Sequence, residues 1–223
     1  GDAELAARDR QIAHAAGLRK AEIGTGGRDV SAQHHLDEAT LLRYASGDLD
    51  EAFSVVVASH LAMCLTCRRA AQEAEQVGGR FLESMDKSEM ATGAFDRLMQ
   101  RLDLDEDTIV LDREMTANGA NGDVPLPLRR YVGDSVAGIS WNTISPGVRR
   151  HAINLSSPTH SSLYMLHIAP GKAVPEHGHG GAELTLVLSG AYRDELGRFG
   201  PGDIADLDEH VEHQPTVEAG APG

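Results

Sequence analysis

Basic residues are scarce in this chain, with 20 Lys and Arg against 34 Asp and Glu and a formal net charge of −14. A balance that acidic repels polyanions, so nucleic acid and anionic membrane surfaces are poor partners and a basic protein surface is a good one. Only two cysteines are present, which excludes a disulfide-stapled scaffold. No apolar run is near the length that spans a bilayer, and no charged segment leads into a short apolar one as in a secretion signal. These absences predict a cytoplasmic protein that does not engage a membrane. Aromatic residues make up 4%, yet 41% of the chain is hydrophobic, enough for a normal core, and 223 residues suit two modest domains.

Both cysteines fall in one pattern. In E-A-F-S-V-V-V-A-S-H-L-A-M-C-L-T-C-R-R, His60, Cys64 and Cys67 stand at i, i+4 and i+7. The apolar run through Phe53, Val56, Val57 and Leu61 predicts an amphipathic helix with Asp50 as its N-cap. His60 and Cys64 then share a face, and Cys67 joins them if the helix bends or restarts between the cysteines. Structural zinc takes four tetrahedral nitrogen and thiolate ligands. The fourth candidate is His35, with His34 as competitor, both just before a short helix that Asp37 can cap and Gly47 can end. A thioredoxin-like redox pair is disfavoured, because such a pair opens a helix after a strand, whereas Cys64 follows a helical run.

A second metal pattern lies in G-K-A-V-P-E-H-G-H-G-G-A-E-L-T-L-V-L-S-G, from Gly171 to Gly190. His177 and His179 alternate and so share one face of an extended segment, and Glu183 opens a buried-strand pattern. Two histidines and a carboxylate can cap a divalent ion. A further histidine is available in D-E-H-V-E-H-Q-P as His210 or His213, and spacing does not choose between them.

Along the rest of the chain, A-E-L-A-A-R-D-R-Q-I-A-H-A-A-G-L-R-K can form a helix but is cut off by G-T-G-G, so residues 1–33 read as an appendage, either helical in part or disordered. After Cys67 a helical stripe of Ala70, Ala74, Val77, Phe81 and Met85 contains Gly78-Gly79, which predicts a bend or frayed turn there. A fourth helix from Thr92 to Leu102 carries Phe95, Leu98, Met99 and Leu102 at i, i+3, i+4 and i+7, either a core face or a face that docks on a partner. Residues 104–126 read as a linker. Strand-like segments follow at Gly138–Ile144, Val148–Leu155, Ser161–Ile168, Glu183–Leu188, Ala191–Glu195 and Asp203–Leu207, a spacing that predicts an antiparallel sandwich or barrel.

The run from Gly171 to Gly190 matches the first cupin motif, G-x5-H-x-H-x3-E-x6-G, and Pro201-Gly202 with His213 resembles the second. The preceding His, then H-x-x-x-C-x-x-C, resembles the zinc-binding anti-sigma domain. Together with L-L-R-Y-A-S-G, G-H-G-G-A-E-L-T-L-V-L-S-G-A-Y-R-D-E and F-G-P-G-D-I-A-D, the chain resembles the ChrR family of anti-sigma factors. The resemblance implies a multidomain α + β protein: a zinc-stapled helical domain over 34–103 followed by an antiparallel double-stranded β-barrel, the cupin, over 127–223 and truncated at its C-terminus. It implies structural zinc on His35, His60, Cys64 and Cys67, and a divalent metal, zinc in the first instance, on His177, His179, Glu183 and His213. It also implies transcription regulation: sequestration of a sigma factor of the extracytoplasmic-function class, release under oxidative stress of the singlet-oxygen or peroxide type, and a cupin that acts as the sensory module.

Two rival readings make other demands. A metal-dependent cupin enzyme, a dioxygenase or isomerase, needs pocket groups that orient a substrate, for which Tyr164, Tyr192, Arg193 and Trp141 are candidates. A DNA-binding regulator needs a basic recognition stripe, which the sequence does not contain.

Overall fold

The computed structural model describes residues 12–16, 32–104, 122–156, 160–178 and 180–220. Two acidic residues start the first helices. Asp37 caps α1 (Glu38–Ala45), its carboxylate accepting from the Ala39 amide at 2.7 Å. Asp50 caps α2 (Glu51–Met63), accepting from the Phe53 amide at 3.1 Å. Between them Gly47 takes φ 75°, the left-handed conformation that ends a helix and reverses the chain.

α2 stops at Cys64, whose backbone is extended (φ −114°, ψ 110°), and α3 (Leu65–Ser84) starts one residue later, turned by 119°. Arg68 bridges the break. Its guanidinium donates to the carbonyls of Leu61 at 2.7 Å and Ala62 at 2.8 Å, groups that the ended helix leaves without amide donors. The helix restart needed to bring Cys67 round therefore falls at Cys64 itself. The bend expected at Gly78-Gly79 is not there: α3 runs on through both glycines. Their cost, about 1 kcal/mol each, is outweighed by flanking helix formers such as Glu75, Gln76, Arg80 and Leu82. α4 (Ala94–Leu104) follows.

α2 also departs from its expected amphipathic character. Ala52, Phe53, Val55, Val56, Val57, Ser59 and His60 are all buried, so apolar residues occupy more than one face. Such a helix belongs in a core. It packs against α1, against α5 (Leu126–Val132) and against one face of a sheet.

That sheet has six strands in the order β2 (Asn142–Ser145), β3 (Val148–Ile153), β4 (Ser162–Ile168), β1 (Ile12–Ala16), β6 (Glu183–Val187) and β9 (Ile204–Leu207). A second sheet pairs β5 (His177–Gly178) with β10 (Glu212–His213), and a third joins β11 (Thr216–Val217), β7 (Tyr192–Asp194) and β8 (Gly197–Phe199). The described strands thus form three sheets and do not close into the expected barrel. β1 accounts for part of the difference. Residues 12–16 read as helix-capable, but they form a strand parallel to both β4 and β6 and sit between them. A slot with ladder partners on both edges overrides a weak local preference for helix.

Strand alternation divides the interior in two. On β6, Leu184 and Leu186 face the core that includes α2, while Glu183, Thr185 and Val187 face the other way. On β4, Leu163 and Met165 face α2, and Tyr164, Leu166 and Ile168 face the opposite side. That opposite side holds a cavity of about 460 Å³. The chain from Gln76 to Gly122 forms a unit of its own. Among the described residues, no single helix is long and apolar enough to cross a membrane.

Candidate metal centres

The break at Cys64 gathers four side chains. His35 precedes α1, His60 lies in the last turn of α2, Cys64 occupies the junction and Cys67 lies in the first turn of α3. Their ligand atoms all fall within 4.8 Å of one another. Nδ1 of His35 is 3.4 Å from Sγ of Cys64 and 3.5 Å from Sγ of Cys67. A tetrahedron with zinc–sulfur bonds of about 2.3 Å and zinc–nitrogen bonds of about 2.0 Å has nitrogen–sulfur edges of roughly 3.5 Å. The observed spacing matches that edge.

His60 supplies the sharpest test of fit. Its side chain is fully buried, and Nδ1 lies 3.0 Å from the carbonyl oxygen of Gly202. A carbonyl only accepts, so the proton is on Nδ1 and Nε2 presents its lone pair. That Nε2 is buried with no hydrogen-bond partner among the described residues. A buried polar atom of this kind calls for a ligand, and a cation beside two thiols and a second imidazole is the fitting one. Burial pushes the His60 pKa down to about 4; the Gly202 carbonyl opposes this, His35 adds to it, and Asp203 opposes it. The ring is therefore neutral near pH 7, as a metal ligand must be. Burial likewise pushes the Cys67 thiol up to about 11, against the Leu36 backbone and with Cys64.

His34 is turned away from this cluster. Its ring stacks on Phe199 with centroids 4.0 Å apart, and Nε2 donates to the Arg198 carbonyl at 3.0 Å. The adjacent histidines thus serve opposite sides, His34 the sheets and His35 the thiols.

The second cluster comprises His177, Glu183 and His213, again with ligand atoms within 4.8 Å of one another. The β5–β10 ladder sets His213 directly opposite His177, and the two rings lie 4.9 Å apart. Glu183 is 2% exposed and His213 also 2%. His179 lies outside the described residues. His210 is not in the group: it is exposed, 3.8 Å from Glu209. Nδ1 of His177 donates to the Pro175 carbonyl at 2.9 Å, and Nδ1 of His213 donates to Oδ2 of Asp194 at 3.0 Å, so both rings turn Nε2 toward the cluster. Thr185 donates to Oε1 of Glu183 at 3.0 Å.

Asp194 and Thr185 join the cluster without standing at a fixed position of either sequence motif. Thr185 could have been found, since it shares the Glu183 face of a strand. Asp194 could not, because its pairing with a residue 19 positions away depends on how two short strands are folded together.

Around this cluster the cavity is lined by apolar side chains together with Tyr164 and Tyr192, and by the polar Ser145, Arg150, Lys172 and Ser189. Burial raises the pKa of both phenols, with Glu183 adding to the effect on Tyr164 and Asp194 leading the charges that raise Tyr192. Two other candidates for orienting a substrate lie elsewhere. Arg193 pairs with Glu218 at 2.9 Å, and Trp141 packs edge-on against His151 and His167.

Phe95, Leu98, Met99 and Leu102 on α4 are 62%, 54%, 43% and 52% exposed. They are not a core face. Val77 and Phe81 on α3, and Met85 just beyond its end, are exposed as well.

Fold and clusters together define a class: a helical segment with a two-histidine, two-cysteine cluster, joined to sheets that carry a histidine and carboxylate cluster of cupin type. Residues 132–221 match the family described as the ChrR cupin-like domain. The chain is 40% identical over 191 residues to the anti-sigma-E factor ChrR of Cereibacter sphaeroides, covering 86% of each protein. It also resembles a crystal structure of Rhodobacter sphaeroides SigE in complex with the anti-sigma ChrR, with a TM-score of 0.73, 38% identity, and coverage of 85% of this chain and 94% of that one. The chain belongs to the ChrR family of anti-sigma factors.

Proposed function

We propose that this protein is a cytoplasmic anti-sigma factor that sequesters a sigma factor of the extracytoplasmic-function class and releases it under oxidative stress. The observation that carries the reading is the exposed apolar stripe of α4, Phe95, Leu98, Met99 and Leu102, on a chain whose relative is an anti-sigma factor seen in complex with SigE. A helix with four large apolar side chains in water is suited to a groove on a partner. The net charge of −14 favours a partner with a basic surface and disfavours direct DNA binding. The relatives are regulators, which gives the enzyme alternative no support.

In this reading residues 34–103 are the helical module, 104–126 the linker and 127–223 the cupin-like module. His35, His60, Cys64 and Cys67 hold structural zinc. Four protein ligands leave no open position, so the ion supplies folding free energy and not chemistry. It pins α2, α3 and the segment before α1 at one point. His177, Glu183 and His213, with His179, hold a second divalent ion, which is zinc in the simplest case, at the edge of the cavity where a signal can be sensed.

The test is transcription in vitro. RNA polymerase carrying a sigma factor of this class is titrated with the full chain, and repression at stoichiometric amounts supports the reading. Undiminished transcription, or repression that also occurs with a housekeeping sigma factor, contradicts it.

A further inference from the structure

The two clusters are joined by a continuous set of contacts. On the cupin side, the buried carboxylate of Asp194 accepts from His213 through Oδ2 and from the amides of Leu196 at 2.9 Å and Gly197 at 3.2 Å through Oδ1. Asp194 therefore ties the orientation of a cluster histidine to the turn between β7 and β8. The strand leaving that turn supplies the Arg198 carbonyl and the Phe199 ring that hold His34. His34 precedes His35, whose Nδ1 faces both thiols.

The next turn of the same edge holds the segment a second time. Oδ1 of Asp203 accepts from the amides of Gln33 at 2.6 Å and His34 at 3.0 Å, and Gly202, at φ 88°, offers its carbonyl to His60. β8 and the turn after it thus hold His60 directly and His35 through its neighbour His34. The two ends of this path, the Asp194 carboxylate against His213 and the His60 ring against Gly202, are buried, and its middle at His34 is part-buried; packed ends of this kind shift between discrete arrangements.

We propose that Asp194 and His34 are positioning residues that couple the two clusters, so that the state of His177, Glu183 and His213 sets how firmly His35, His60, Cys64 and Cys67 retain their ion. This rests on the proposed metal ligation at both clusters. By linkage the coupling is reciprocal, and sites coupled in this way typically alter each other's affinity by about fivefold or more.

The test uses the full chain loaded with cobalt(II). Cys64 and Cys67 are the only thiols, so thiolate-to-cobalt charge-transfer absorption reports the helical cluster alone. Loss of that band under excess chelator is followed in the wild type, Asp194→Asn, His34→Phe and the double variant. His34→Phe keeps a ring on Phe199 but removes the bond to Arg198. Asp194→Asn is expected to speed loss about fivefold, although it touches no residue of the helical cluster, and to add nothing in the His34→Phe background. Effects that multiply in the double variant, or an Asp194→Asn rate within twofold of wild type, overturn the coupling.

Should Asp194→Asn lose its far-ultraviolet signature, wild type and His34→Ala are compared at one and two equivalents of cobalt. The second equivalent must change the rate in the former and not in the latter, and any other pattern overturns the coupling. A wild-type chain with no charge-transfer band sinks the metal reading itself, and the coupling with it.

Discussion

Acidifying the metal-stripped chain from pH 7.5 to pH 4 should remove about 3 kcal/mol of unfolding free energy through His60 alone. The fold holds this ring at a pKa of about 4, chiefly by burial, against 6.5 for an ordinary histidine. Above pH 6.5 the ring is neutral in both states and contributes no pH dependence. Between 6.5 and 4 the unfolded chain binds a proton that the folded chain refuses, so stability falls with pH, and below 4 the loss levels off. A gap of about 2.5 pH units at 1.36 kcal/mol each gives roughly 3 kcal/mol. Asp206 works in the opposite sense: burial raises its pKa, so the fold gains from its protonation. The assay is urea unfolding followed by helix circular dichroism across this range, for wild type and His60→Gln, which retains an amide donor toward Gly202. Other groups cancel in the difference. If the two proteins lose stability in parallel between pH 6.5 and 4, the burial argument for His60 is wrong.

Other substitutions have separable outcomes. Leu98→Ala should weaken binding to the sigma factor by about ten- to a hundredfold, from about 1.5–3 kcal/mol of lost burial, without changing helix content, as read by titration calorimetry. Asp50→Ala removes the cap on Phe53 and the acceptor of the Ser161 hydroxyl, and should lower unfolding free energy by about 1–2 kcal/mol in urea. His213→Ala should reduce bound metal by about one equivalent in elemental analysis, whereas His210→Ala, at an exposed position, should leave it unchanged.

The local chemistry was readable from the residues. Asp37 and Asp50 sit where capping residues belong, and the H-x-x-x-C-x-x-C spacing required a helix restart that Cys64 provides. His177 and Glu183, two of the candidates before and on β6, lie together with His213, whereas the alternation of His177 with His179 falls partly outside the described residues. What escaped were features fixed by distant partners. Residues 12–16 become a strand only because β4 and β6 leave a slot. α2 looks amphipathic until the sheet covers another of its faces. Nothing in His34-His35 reveals which ring meets Phe199 and which meets the thiols, because that depends on a strand some 160 residues away. Asp194 is hidden for the same reason.

The reading as a whole stands on the junction of α2 and α3 being held by metal in the form that grips a partner. Calorimetric titration of the cognate sigma factor into the Cys64→Ser, Cys67→Ser chain, beside zinc-loaded wild type, addresses this directly. Stoichiometric binding by the wild type and none by the variant is expected. Equal affinity in the two proteins, with zinc absent from the variant by elemental analysis, would contradict it.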